Sequence, residues 1–196
     1  MRTSTRDRIL TSATDQFGLR GFDAVSLDLI ASEVGVTKQT LLYWFPSKDE
    51  LLQSVLTQAA GDLALVVEAA VRAATDDPLD RIDAVVRAVF RPAVRRPALL
   101  GLIREVSRLP QPLAAPLIDL VRPLAERAHV YLAAEMDAGR LRRADPGLVS
   151  ALCYATVTGI ATEPQALRVN GWEPTPAGLR RLRDELLSFL RAALAP

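Results

Sequence analysis

Histidine and cysteine each occur once in the 196 residues, so neither has a partner of its own kind. Cys153 can form no intrachain disulfide, which fits a reducing cytosol, and it reads as a small packed apolar side chain. With His129 alone, a paired-histidine metal site and a second histidine base are out of reach. The acids are scattered, and spacing singles out no carboxylate pair for proton transfer. No glycine-rich phosphate loop follows a strand, no strand pattern stands out, and no serine sits in a nucleophile elbow. The common routes to catalysis are therefore missing, and neither an enzyme, a metal nor a cofactor is expected. Long apolar runs are missing too. The longest uncharged stretch, residues 146–162, contains Ser, Thr, Tyr and Gly and falls short of the ~20 apolar residues of a spanning helix. The polar N-terminus runs straight into a helix pattern without a signal-peptide signature. A soluble, cytoplasmic chain with no membrane partner is the expectation.

Net charge is also small, +1 overall. Residues 1–50 hold six cations (Arg2, Arg6, Arg8, Arg20, Lys38, Lys48) against seven acids. Any attraction to a polyanion must rest on the placement of a few cations, with Asp15, Asp23 and Glu33 turned away, and a modest salt dependence follows.

What is present is a strong local pattern at 26–48, SLDLIASEVGVTKQTLLYWFPSK. Ser26 is an N-cap, and Leu27, Ile30, Ala31 and Val34 share one helix face. Gly35 stands where a residue of positive φ would end that helix. Val36 and Thr37 read as N′ and N-cap of a second helix, with Val36 stapled onto Leu41. Lys38, Gln39 and Tyr43 then face away from the core, offering a cation, a bidentate amide and an aromatic hydroxyl to phosphates and base edges. The spacing suits a helix-turn-helix whose second helix enters a major groove. From spacing alone, a helical hairpin with solvated Lys38 and Gln39 is an equal reading.

The surrounding residues tip the balance. Arg8-Ile9-Leu10, Ala13, Phe17, Gly21-Phe22, Ser26-Leu27, Ile30-Ala31, Gly35-Val36-Thr37, Leu41, Phe45-Pro46-Ser47-Lys48 and Leu51 resemble, position by position, the N-terminal domain of the tetracycline-repressor (TetR) family of bacterial transcription regulators. The likeness covers about the first quarter of the chain. It implies an all-α fold: an N-terminal three-helix DNA-binding domain (residues 1–50) with a helix-turn-helix, and a C-terminal helical ligand-binding and dimerisation domain (51–196). By the element count below there are about nine helices. In relatives a Tyr often follows the inward Leu, and a His or Tyr precedes the Phe. Here Leu42 and Trp44 occupy those places with Tyr43 between them, so the phosphate contact of that first Tyr is either lost or taken over by Tyr43, and Trp44 either donates its indole N–H or packs. The residues expected at DNA are Arg6, Ser26, Thr37, Lys38, Gln39, Thr40, Tyr43, Trp44 and Lys48. Arg6 belongs at the backbone end of the first helix, and Lys48 sits at the free N–H groups of a helix start, where a phosphate would meet both.

Along the chain, 5–20 reads as the first helix, ended by Gly21. Ser47 and Glu50 form a capping box for a long helix over 47–74. Asp77-Pro78 opens another, with breaks expected at Arg91-Pro92 and Arg96-Pro97. A helix over about 98–109 follows. Pro110, Pro112 and Pro116 then break the chain before a helix that carries Pro123 and runs to about 138. The segment 138–146, AGRLRRADP, is also familiar in TetR-type bodies, and Asp145-Pro146 starts a helix to about 163. That helix is apolar on most sides, which predicts burial on all sides. Residues 163–174 read as a loop with Asn170-Gly171 as its turn, and Thr175-Pro176 opens the last helix.

Between the middle helices a mostly apolar pocket is expected. Its candidate lining is Phe90, Leu100, Ile103, Arg104, Ser107, Leu124, Ala128, His129, Tyr154 and Thr158, with Trp172 over its mouth or over a partner subunit. Arg104 and His129 are the orienting polar groups, or are structural. Two apolar C-terminal helices suit a four-helix homodimer interface built from Leu148, Leu152, Ala155, Leu182, Leu186, Phe189 and Leu190. The resemblance implies a ligand-responsive repressor on a near-palindromic double-stranded DNA operator, released when a small molecule shifts the 47–74 helix. An activator, a ligand-independent regulator of the same fold and a helical interaction module that does not bind DNA remain the alternatives.

Overall fold

Ser4, Ser26, Thr37, Ser47, Asp77 and Thr175 each stand just before a helix and turn a side-chain oxygen back onto a free backbone N–H. In this computed structural model, which describes residues 4–96, 98–108, 111–162, 164–173 and 175–196, those caps set most of the helix starts. The elements are α1 (Thr5–Arg20), α2 (Leu27–Val34), α3 (Lys38–Trp44), α4 (Lys48–Ala73), α5 (Pro78–Arg95), α6 (Ala98–Arg108), α7 (Gln111–Asp137), α8 (Pro146–Thr162), α9 (Pro164–Val169) and α10 (Pro176–Leu194). Among the described residues the regular structure is all helical, with ten helices where about nine are expected.

The extra helix is α9, inside the expected 163–174 loop. Pro164 fits a first helical position, and the Asn170 and Gly171 N–H groups close the end onto the Leu167 and Arg168 carbonyls. Leu167 packs into the body, so burial favours a turn of helix over an open loop. Two proline breaks are also absent. α5 continues through Pro92 to Arg95, and α7 opens at Gln111 ahead of Pro112 and Pro116. Pro92 costs one backbone bond near the helix end, which the packing of buried Phe90 and partly buried Val94 offsets. Pro112 lies in a first turn, where its missing N–H would have had no helical partner anyway.

Two cores result. The first joins Ile9, Leu10, Ala13 and Phe17 of α1 to Ile30, Ala31, Val34, Leu41 and Phe45, and draws in Leu51, Leu52, Val55 and Leu56 of α4 and Leu102 of α6. The second gathers Val86, Phe90, Leu132, Met136, Leu141, Leu179, Leu187, Leu190 and Leu194. By length and composition α4 alone among the described helices is apolar enough to cross a membrane. Its first two turns are instead a wall of the first core, and its Glu68 pairs with Arg127 of α7 at 3.1 Å.

The N-terminal helices are fastened to α6. Gly18 and Gly101 cross so closely that a Cβ on Gly18 would run into the Ala98 carbonyl oxygen, and one on Gly101 into that of Gly18. The Arg96 guanidinium reaches Asp15 at 2.7 Å and the Thr11 carbonyl oxygen at 2.8 Å. Glu105, buried at 7% exposure, accepts the Phe22 N–H at 2.9 Å.

Candidate nucleic-acid interface

The α2–turn–α3 unit is built by its caps. Ser26 accepts from the Leu29 N–H and Thr37 from the Thr40 N–H, each at 3.1 Å. Gly35 takes φ +73°, and the Gly35 and Val36 N–H groups return to Ser32 and Ala31, closing α2 in the left-handed manner that glycine allows. Leu41 is fully buried beneath the unit and Val36 packs beside it. That fixes the outer face of α3. Lys38 and Gln39 are exposed, Tyr43 is 79% exposed, and Trp44 stands edge-on to Tyr43 at 5.3 Å. Thr40 is half-buried, and its hydroxyl lies 2.9 Å from that of Thr37. The Ser26 and Thr37 oxygens are engaged as caps, which leaves the Ser26 proton to donate outward and one proton between the hydrogen-bonded hydroxyls of Thr37 and Thr40.

The cations around this face are held. The Lys38 ammonium meets Asp28 at 2.8 Å, an exposed pair that spacing across the turn does not reveal. Arg6 lies 5.4 Å over the Phe45 ring, and the Lys48 ammonium 4.2 Å over the Phe22 ring. Arg8 donates to the Val34 carbonyl oxygen, which places a guanidinium at the negative end of α2. Two of the other acids are occupied elsewhere. Asp15 binds Arg96, and Glu33 accepts from Ser12 at 2.9 Å and from Gln16 at 2.5 Å along α1. Reading the sequence alone misses Asp28, Phe22 and Glu105. For Glu105 the one available signal is a lone acid between Leu102 and Val106 on a helix that must face a core.

The expected pocket residues do not converge. Phe90 is 3% exposed within the second core, and Leu100 packs against it. Ile103 and Arg104 are half-buried, with the Arg104 guanidinium 3.9 Å from Glu105. Leu124 is half-buried, whereas Ala128, His129 and Tyr154 are exposed. Ala128 and His129 share the α7 face of Leu132 and Met136 but lie one to two turns earlier, where that face is exposed. The side chains of Ser107 and Thr158 lie outside the described residues. Trp172 is pinned, its indole N–H donating to the Gly178 carbonyl oxygen at 2.9 Å, so it buttresses the start of α10. A cleft of about 510 Å³ lies elsewhere, between α1 and α4, lined by Arg6, Asp7, Glu50, Gln53 and Ser54 among others.

The expected subunit face divides. Leu148, Leu152 and Phe189 are 64%, 63% and 63% exposed, and Ala155 is exposed. Burial of α8 on all sides therefore does not hold within one chain: Val149 and Cys153 pack inward and the opposite face is bare. Leu190 is 5% exposed in the chain's own core, and Leu182 and Leu186 pack against that core. The stripe on α10 is wide enough for its middle to face the body while Phe189 faces out.

Residues 9–55 match the family of bacterial regulatory proteins, tetR family. The HTH-type transcriptional activator FasR of Mycolicibacterium smegmatis is 37% identical over 89 residues, which span 45% of this chain and 40% of that protein. The chain thus aligns with less than half the length of that curated relative. Among solved structures, a transcriptional regulator from Saccharomonospora viridis in complex with choline superposes with a TM-score of 0.81 at 20% identity, covering 97% of each chain. AibR, solved with isovaleryl coenzyme A and operator DNA, superposes with a TM-score of 0.77 at 17% identity, over 95% of this chain and 97% of that one. These two likenesses speak to the fold. Residues 9–55 thus carry the sequence pattern of the tetR family of bacterial regulatory proteins, and the chain as a whole shares the helical fold of these solved structures.

Proposed function

We propose that this chain is a DNA-binding transcription regulator whose α3 enters a major groove and whose grip responds to a small molecule. One observation carries the reading. In the segment that matches the family, the outer face of α3 is held open by its caps, with Gln39 and Tyr43 exposed and Lys38 at its start. Gln39 is the base-reading amide, with Lys38 and Thr40 beside it. Arg6, Ser26, Thr37, Tyr43, Trp44 and Lys48 make the phosphate contacts. Residues 1–50 act as the reading domain and 51–196 as the effector and dimerisation domain. Two copies meet through the bare apolar face of Leu148, Leu152, Ala155 and Phe189, which sets two reading helices ~34–36 Å apart on a near-palindrome. The chain works in the cytoplasm, without catalytic turnover.

The main reading is a repressor released by its effector. The effector must bind the non-reading arrangement more tightly, since equal affinity shifts nothing. A second reading, an activator, is favoured by the likeness to the transcriptional activator FasR. The test is to sequence genomic fragments retained by the purified protein, and then to seek compounds that release them, starting with choline and short acyl-coenzyme A thioesters. Enrichment of one inverted repeat is expected, and a reporter behind that site gives the sign of regulation. Retention without sequence preference, lost at moderate salt, would instead mark a helical interaction module and refute the regulator.

A further inference from the structure

We infer that Glu105, on α6, is a positioning residue for DNA: through Phe22 it sets where the Lys48 ammonium stands. This rests on the regulator reading above. The line begins with a buried carboxylate. Glu105 Oε2 accepts the Phe22 backbone N–H at 2.9 Å, while Oε1 has no hydrogen-bond partner and sees only the guanidinium groups of Arg108 at 3.8 Å and Arg104 at 3.9 Å. A carboxylate at 7% exposure with one oxygen unsatisfied is a poor device for stability alone. What it does achieve is to tie the α1–α2 turn to the body across a long sequence separation.

Phe22 passes the placement on. Its ring leans on the fully buried Phe17 ring, centroids 5.4 Å apart and planes at 57°, so backbone and ring are both fixed. The Lys48 ammonium rests over that ring, 4.2 Å from its centroid. Lys48 is the first residue of α4, beside the free N–H groups and positive end of a long helix. A flexible lysine would otherwise lose rotamer freedom on meeting a phosphate, and the ring removes part of that loss beforehand. Body helix, turn and long helix thus converge on one cation.

The experiment is a double-mutant cycle on duplex affinity, measured at several salt concentrations, with Glu105→Ala, Lys48→Ala and their combination. Lys48→Ala alone should weaken binding to all sequences by about tenfold and flatten the log–log salt slope by about 0.9. Glu105→Ala should reproduce part of both effects, and in its background Lys48→Ala should cost about twofold or less. Phe22→Leu, which folds around the same core, should act like Glu105→Ala, and Phe22→Tyr should restore the slope. If Glu105→Ala does not fold, Phe22→Leu closes the same cycle with Lys48→Ala. Equal costs of Lys48→Ala in both backgrounds would overturn the inference, and so would tighter binding by Phe22→Leu, which would show the ring withholding the cation. An additive cycle with wild-type operator selection intact removes this inference alone. If the wild type selects no operator, the regulator reading falls and takes this one with it.

Discussion

Replacing Gly101 by alanine tests the seam between α1 and α6 by the sign of its effect. In an unobstructed helix the change should stabilise by about 1 kcal/mol, because alanine loses less backbone freedom on folding. Here the new methyl runs into the Gly18 carbonyl oxygen, a backbone atom that cannot rotate aside as a side-chain end could. The two helices must part, loosening Ala98 and Leu102, each 3% exposed at that seam. Overpacking of this kind costs typically 1–3 kcal/mol, and a rigid obstacle puts it at the upper end. The net expectation is a loss of about 2 kcal/mol. Gly61→Ala on α4 is the internal reference, since nothing lies within 4 Å of its added carbon. It should gain up to about 1 kcal/mol. The two variants then differ by about 3 kcal/mol, a separation of roughly 1 M in urea midpoint for a domain of this size. Both are compared at one protein concentration, because association would shift the midpoints. A Gly101→Ala midpoint above wild type, matching Gly61→Ala, would refute the close crossing.

Gln39→Ala should relax selection at one base position and cost on the order of 1–3 kcal/mol at the preferred site, and coincident selected-site profiles for mutant and wild type would remove Gln39 from the reading set. Leu152→Asp places a charge on a side chain that is 63% exposed in the single chain, so light scattering should report monomers with helical content unchanged, whereas a persistent dimer would exclude that face. Leu186→Asp is a less clean probe of the same interface, because Leu186 also packs against its own core. Burial pushes the Cys153 thiol above its usual pKa, so less thiolate is present at any given pH. Disulfide-reagent labelling at pH 8 should be slower than for an exposed cysteine and should catch up in urea, and equal rates in the folded protein would contradict the burial.

The N-terminal architecture was legible because its signals are local. Ser26, Gly35, Thr37 and Ser47 each satisfy a neighbour a few residues away, and a cap or a left-handed glycine needs no knowledge of the rest of the chain. The faces of α1 and α2 follow from period alone. The body was less legible because burial overrides local preference there. Pro92 reads as a stop but lies between Phe90 and Val94, which hold the helix together. Leu190 and Phe189 are adjacent and equally apolar, yet one faces the core and the other stands bare, a difference set by the direction of α5 and not by either residue. Asp28, Phe22 and Glu105 stayed hidden for the same reason. Their partners are remote, and neither composition nor spacing connects α6 to a turn near the start of the chain.

The first core includes Leu51, Leu52, Val55 and Leu56 of α4 and Leu102 of α6. A chimera that grafted a foreign reading head onto this body at residue 50 would therefore cut through a packed interior. The donor segment would have to match the resident leucines in shape, supply a small residue opposite Gly101 and an acid for Arg96, or the hybrid would lose its interior before its specificity could be assayed. Exchange of specificities by recombination in this protein is thus expected to succeed only when the crossover falls beyond the second turn of the long helix, with the α6 seam transplanted alongside.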